Sequence, residues 1–227
     1  MRVLVVTAVA AEAESVAAGL TAPVPQTRQL PGSYTLARHG DVDVLAAGVG
    51  PAAAAAGTAT ALATDAYDLV VSAGIGGGFQ PLAPLGAIVV ADAIVAADLG
   101  AETPEGYLPV DELGFGRCVH LPPTELAARV AKILDAVHAP VLTVSTVTGT
   151  AARAAELTGR HPRAAAEAME GFGVAEAAAA HWVPVLEIRA VSNPVGPRDR
   201  AAWRIGQALD SLRHAFQQLT PVLEETP

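Results

Sequence analysis

Short unbroken apolar runs alternate along this chain with longer segments whose apolar positions recur three and four residues apart. The first pattern suits strands buried on both faces, and the second suits helices with one face on a core. Their alternation predicts an α/β fold, a central mixed β-sheet flanked by α-helices. Val3–Thr7 reads as a buried first strand, followed by a helix to about Leu20. Tyr34–Arg38 and Val42–Ala47 read as a hairpin around His39-Gly40-Asp41. Pro51 suits the first turn of the alanine-rich helix that follows it. Leu69–Ala73 is a strand that ends in the glycine run Gly74–Gly78, Ala87–Ala97 is strand-like, and residues 99–117 read as a loop. Thr124 is placed to cap a helix with Leu126, Val130, Ile133, Leu134 and Val137 on one face. Val141–Val144 and Val185–Val191 are further strands, and Ile205, Leu209, Leu212, Phe216 and Leu219 form the stripe of a last helix.

No internal repeat and no linker divides the pattern, so residues 1–227 are expected to form one domain. With one positive side chain ahead of it and a short apolar run, Val3–Ala11 suits a strand leading into a helix better than a secretory leader. No uncharged apolar stretch reaches the roughly 18 residues of a membrane span. A cytoplasmic protein without membrane attachment is therefore expected.

Composition narrows the function classes. A net charge of −9 argues against a nucleic-acid partner, which needs a basic face for phosphates. Lys132 is the only lysine, which leaves one candidate for Schiff-base chemistry. Cys118 is the sole cysteine, so an internal disulfide is impossible, and it is expected to be a small idle thiol. The six histidines have no metal-ligand spacing. No metal and no cofactor are expected.

Gly74-Ile75-Gly76-Gly77-Gly78 follows a strand, as a dinucleotide fingerprint would, but Phe79 stands where the third glycine belongs and Pro81 and Pro84 where a helix should begin. The run is then either a tight turn or a loop presenting backbone N–H groups to a hydroxyl, a water or an anion. Between Arg38 and Arg117 there is no lysine or arginine. A phosphate bound at the glycine run would need cations from elsewhere, whereas water needs none, which favours hydrolysis over phosphorolysis.

Glu12 and Glu14 stand where the first helix begins, Glu170 just before another, and Asn193 before Pro194 in an ordinary turn context. Singly, none identifies a function. Together, Ala8-Val9-x-x-Glu12, Gly48-Val49-Gly50-Pro51, Ser72-Ala73-Gly74-Ile75-Gly76-Gly77, Met169-Glu170 and Arg189-Ala190-Val191-Ser192-Asn193 resemble the nucleoside phosphorylase/nucleosidase superfamily over nearly the whole chain. Within it they resemble the 5′-methylthioadenosine/S-adenosylhomocysteine nucleosidases, and Thr143–Thr150 with Ala168-Met169-Glu170-Gly171 is closer still to the futalosine hydrolase branch.

That resemblance implies a catalytic pair. Glu12 would orient and deprotonate a water attacking an oxocarbenium-like sugar, and Asn193 would address the departing base. Glu170 would accept from the 2′- and 3′-hydroxyls, and Met169 would lie against the ribose. Ala8, Val49, Ile75, Gly76, Gly77, Gly149 and Thr150 would line the rest of the pocket, with Trp203 as an aromatic wall. Adenosine-specific members carry aspartate at the position of Asn193, serine at that of Ile75 and glutamate at that of Ala168. An asparagine amide suits the N7 and O6 acceptors of a 6-oxopurine, so hypoxanthine or guanine is the expected leaving base. The resemblance also implies a homo-oligomer, the dimer being the simplest case, because residues 99–117 fall where relatives contribute across a subunit interface. Arg117 and Arg153 are candidates to meet the aryl-ketone carboxylate of a futalosine-like 5′-substituent. The alternatives are a phosphate-dependent purine nucleoside phosphorylase, a methylthioadenosine-type nucleosidase, and a non-catalytic nucleoside-binding module in which Glu12 is only a helix-start acid.

Overall fold

The computed structural model describes residues 1–20 and 25–224. In chain order its elements are β1 (Val3–Thr7), α1 (Ala10–Gly19), β2 (Gln26–Gln29), β3 (Thr35–His39), β4 (Val42–Ala46), α2 (Pro51–Leu62) and β5 (Leu69–Gly78). Then come β6 (Ile88–Val90), β7 (Ile94–Ala96), β8 (Gly100–Thr103), β9 (Gly106–Pro109), β10 (Val119–His120), α3 (Thr124–Ile133), β11 (Val137–His138) and β12 (Val141–Thr143). The chain continues through α4 (Ala151–Arg160), β13 (Ala166–Ala168), α5 (Gly171–Ala180), β14 (Val185–Pro194) and α6 (Ile205–Glu224).

Twelve strands form one mixed sheet, and β5 is its axis. Strand β1 pairs parallel with β5 and β4, and β14 runs parallel to β5 along its whole length. Beyond β1 the sheet continues through β4, β3 and β2. At its far end β5 pairs antiparallel with β13, which leads to β12, β7 and β10.

The unbroken apolar runs have a simple cause: both faces of the sheet are covered. Val3 and Val5 pack with Val16 of α1, Val130 of α3, and Leu212, Phe216 and Leu219 of α6. Leu4 and Val6, one residue out of phase, pack with Ala54 and Ala61 of α2 and Phe172, Val174 and Ala178 of α5. The alanine content lets α2 and α5 approach closely. A Cβ at Gly173 would lie 2.0 Å from the Pro51 carbonyl oxygen, so glycine is required at that contact.

Several expected elements take a different form. The glycine run is the second half of strand β5, with no residue at positive φ, because β14 and β13 hold it extended. Ala87–Ala97 divides into β6, which joins β14 and β11, and β7, which joins β12 and β10. The 99–117 segment contains the β8–β9 hairpin. Thr124 opens α3 but does not cap it: Pro123 holds the N-cap position without a side-chain hydrogen bond. Along α6 the buried stripe takes Ala208 and Ala215 with Leu212, Phe216 and Leu219, while Ile205 is exposed and Leu209 only partly covered.

Candidate active site

The sheet's parallel strands end at a common edge, the usual place for a ligand crevice in such folds. Ala8 and Val9 follow β1, Val49 follows β4, Ile75–Gly77 belong to β5, Met169 and Glu170 follow β13, and Ser192 and Asn193 end β14. With Glu12 and Trp203 they line a cleft of about 220 Å³.

Glu12 sits in the first turn of α1 and is 4% exposed. Its Oε2 accepts the amides of Ala8 (3.0 Å) and Val9 (3.2 Å), the second being the backward reach of a helix-start glutamate. Its Oε1 accepts the Ile75 amide at 2.8 Å. Glycine at 74 makes this possible, since a Cβ there would lie 2.6 Å from Glu12 Oε1 and 2.7 Å from Arg189 Nη1. A carboxylate offers about four acceptor positions. Three are filled by the protein, and the one left is on Oε1.

Glu170 repeats this arrangement ahead of α5. Oε1 accepts the Gly50 amide at 3.1 Å, and Oε2 accepts the Met169 amide and Arg189 Nη1, each at 3.3 Å. Arg189 is fully buried; its Nε donates to Glu187 Oε1 and its Nη2 to Ser72 Oγ, both at 2.9 Å. Burial works against that charge, but the carboxylates of Glu187, Glu170 and Glu12 outweigh it and hold the guanidinium above its ordinary pKa. Glu187 is pushed upward by its own burial, with Arg189 opposing.

Asn193 lies at an irregularity in the β14–β5 pairing, between Val191 and Asn193. Its Nδ2 donates to the Pro194 carbonyl at 3.0 Å, and Ser192 Oγ lies 2.8 Å from its Oδ1 and 3.1 Å from the Gly76 carbonyl. One N–H of the amide remains for a ligand. Among the described residues no group of three or more His, Cys, Asp or Glu could hold a metal ion, and no helix is long and apolar enough to cross a membrane.

Residues 2–226 match the family described as the phosphorylase superfamily. The chain belongs to that superfamily. It is 64% identical to the futalosine hydrolase of Streptomyces coelicolor, over 99% of this chain and 97% of the relative. It is 48% identical to that of Acidothermus cellulolyticus, over 95% and 89%. Among solved structures, the futalosine hydrolase of Helicobacter pylori superposes with a TM-score of 0.84 over 98% of both chains at 13% identity, a likeness of fold.

In this phosphorylase-superfamily fold ten of the twelve expected site residues line one cleft: Ala8, Glu12, Val49, Ile75, Gly76, Gly77, Met169, Glu170, Asn193 and Trp203. Gly149 and Thr150 lie just beyond it. The Thr150 hydroxyl caps α4 by accepting the Arg153 amide at 3.2 Å, and the Gly149 carbonyl accepts the Arg198 amide at 3.2 Å. Arg117 pairs with Glu176 and Arg153 with Glu156, and neither lines the cleft.

Sequence reasoning missed Thr148, Glu167, Ser192 and Arg198, all cleft-lining, and the supporting role of Arg189. Thr148 donates its amide (2.8 Å) and its hydroxyl to the Glu167 carboxylate, fixing the segment after β12 against β13. Burial raises the Glu167 carboxyl, with the Thr148 donors acting the other way. The available signal for Glu167 was its place one residue before the expected Ala168-Met169-Glu170 motif.

Proposed function

We propose that this enzyme hydrolyses the N-glycosidic bond of futalosine, releasing hypoxanthine and dehypoxanthine futalosine in menaquinone biosynthesis. The observation that carries this reading is the pair Glu12 and Glu170, each with three acceptor positions filled and one free in the same cleft. The kinship with futalosine hydrolases selects the substrate.

In this mechanism one hydroxyl of the ribose 2′,3′ edge takes the free acceptor position on Glu170 Oε1. A water takes that of Glu12 Oε1. As the C1′–N9 bond lengthens, its electron pair moves to the base and positive charge grows on the sugar. The water oxygen then bonds C1′ and its proton passes to Glu12. The free Nδ2 hydrogen of Asn193 stabilises the departing 6-oxopurine anion by donating to its acceptor edge; the anion then takes a proton from solvent water to leave as hypoxanthine, and Glu12 returns its proton to solvent. Arg189 positions Glu170 and lies too deep to touch substrate.

Phosphorolysis fits less well. Each Arg189 nitrogen is already bound to protein, and the cleft's one lining cation, Arg198, belongs to the exposed stretch 197–201. A phosphate dianion in this cleft would face the carboxylates of Glu12, Glu167 and Glu170 with Arg198 as the single lining cation.

The decisive experiment incubates the protein with futalosine, inosine and methylthioadenosine, with and without phosphate, and follows free base. Hypoxanthine from futalosine independent of phosphate is expected. Release from inosine only with phosphate would overturn the reading.

The same proposal includes a one-domain enzyme over residues 1–227, supported by one sheet running from Val3 to Pro194. It acts in the cytoplasm without nucleic-acid or membrane partners, in keeping with its acidic charge. It forms a homodimer: Leu99, Leu108, Phe115, Val119 and Leu121 are exposed within one short stretch, apolar surface that a second copy would cover. Light scattering that gave only monomer would remove the dimer.

A further inference from the structure

The chain carries 23 acidic against 14 basic residues, and most of its arginines are engaged with carboxylates. Arg38 meets Asp43, Arg117 meets Glu176, Arg153 meets Glu156, and Arg163 meets Asp92. The segment ending β14 and leading into α6 is different. Among the described residues no carboxylate pairs with Arg198, Arg200 or Arg204, and the intervening Asp199 turns its carboxylate to the Ala201 amide at 3.0 Å. Arg204 is turned to the carbonyls of Ala201 and Trp203.

Of these three, only Arg198 lines the cleft. Its guanidinium carbon lies 5.0 Å from the centre of the Trp203 ring, itself a cleft wall, and its amide is tied to Gly149. Stacking on an indole face leaves the in-plane N–H donors of a guanidinium free. The other charged groups lining the cleft, Glu12, Glu167 and Glu170, are carboxylic acids. An unpaired arginine at the exposed rim of an acidic cleft is a place for an anion.

The direction of the substrate follows from its chemistry. With the base at Asn193 and the 2′,3′ edge of the ribose held against Glu170, only the 5′ carbon can carry a large group without obstructing the bond that breaks. We propose that Arg198, backed by Trp203, is the specificity determinant that pairs with a carboxylate at the far end of an aromatic 5′ extension. This rests on the futalosine reading above and assigns the residue that distinguishes such a substrate from a plain nucleoside.

The test compares kcat/KM for futalosine and for its neutral primary carboxamide, in wild type, R198Q and R198K. Wild type is expected to prefer the carboxylate by about tenfold or more, expressed in KM, the scale of one hydrogen bond to a charged group at a rim. R198Q brings the ratio close to one. R198K retains part of it, because the charge survives but the planar fork and the stacking do not. A purely structural role for Arg198 would depress both substrates in proportion and leave the ratio unchanged in R198Q, which overturns the inference. Equal cleavage of both compounds by wild type overturns it too, while leaving futalosine hydrolysis standing. Wild type that cleaves neither compound but does cleave another purine nucleoside overturns the substrate reading, and this inference with it.

Discussion

The Glu12 carboxylate accepts the Ile75 amide at 2.8 Å, joining the first turn of α1 to strand β5 across 63 positions of sequence. That bond, with those from Ala8 and Val9, fixes the carboxylate before any ligand arrives. Such preorganisation suits a base that must address one water. Glutamine at 12 keeps the shape but cannot take a proton from water, so E12Q is expected to lower kcat about 10²- to 10⁴-fold. Its amide must also set a donor against a backbone donor, at a loss of about 1–3 kcal/mol. Steady-state kinetics beside a melting curve checks both. E14Q, on an exposed site of the same helix, serves as control and leaves kcat unchanged. A fully active E12Q would reduce Glu12 to a helix-start acid.

Arg189 is the buried cation between Glu187, Glu170 and Ser72. Glu187 is wholly buried and its Oε2 has no hydrogen-bond donor among the described residues, so Arg189 is its charge partner. R189A leaves that carboxylate uncompensated and is expected to destabilise by about 3–5 kcal/mol. For a chain of this size that lowers Tm on the order of 10 °C. Adding E187Q to R189M removes the orphaned charge and is expected to recover part of the loss. Calorimetry showing R189A within two or so degrees of wild type would refute this account of the buried cluster.

The fold was legible where the cause is local. Val3–Thr7 reads as a strand because burial on both faces requires an unbroken apolar run. The glycine run misled for the opposite reason. Glycine in sequence signals a turn, yet at Gly74 it answers a tertiary demand, room for Glu12 and Arg189 against an extended strand. The same limit applies to the site. Glu12, Glu170 and Asn193 stand in motifs, whereas Glu167 draws its role from Thr148, 19 residues away, and Arg198 from Gly149 and Trp203. Those contacts exist only after the sheet has formed.

Glu167 supplies a pH-dependent test. Its carboxyl is raised by burial, with the Thr148 donors opposing, so the folded state holds this proton more tightly than the unfolded chain does. Its contribution to stability is fully present below the unfolded carboxylate pKa, about 4.3, and is lost as pH rises through the higher folded value. E167Q carries no such penalty and can still serve Thr148. The Tm of E167Q minus that of wild type is therefore expected to rise with pH across this window and then level off. A flat difference would show that Glu167 ionises without hindrance in the folded protein.

In the proposed mechanism Asn193 decides which base can leave. Its Oδ1 faces Ser192 Oγ, which orients the amide and leaves an Nδ2 hydrogen for the acceptor edge of a 6-oxopurine. In N193D a carboxylate oxygen would meet N7 and O6 acceptor to acceptor, and release of hypoxanthine is expected to fall about ten- to a hundredfold in kcat/KM. The same carboxyl, once protonated, can donate to N7 of a 6-aminopurine while accepting from its amino group. Adenine release from a 6-amino analogue of the substrate should therefore rise. The measurement is base release from the paired 6-oxo and 6-amino substrates by both proteins. A variant with undiminished hypoxanthine release and no gain with the 6-amino substrate would mean that discrimination between bases lies elsewhere in the cleft.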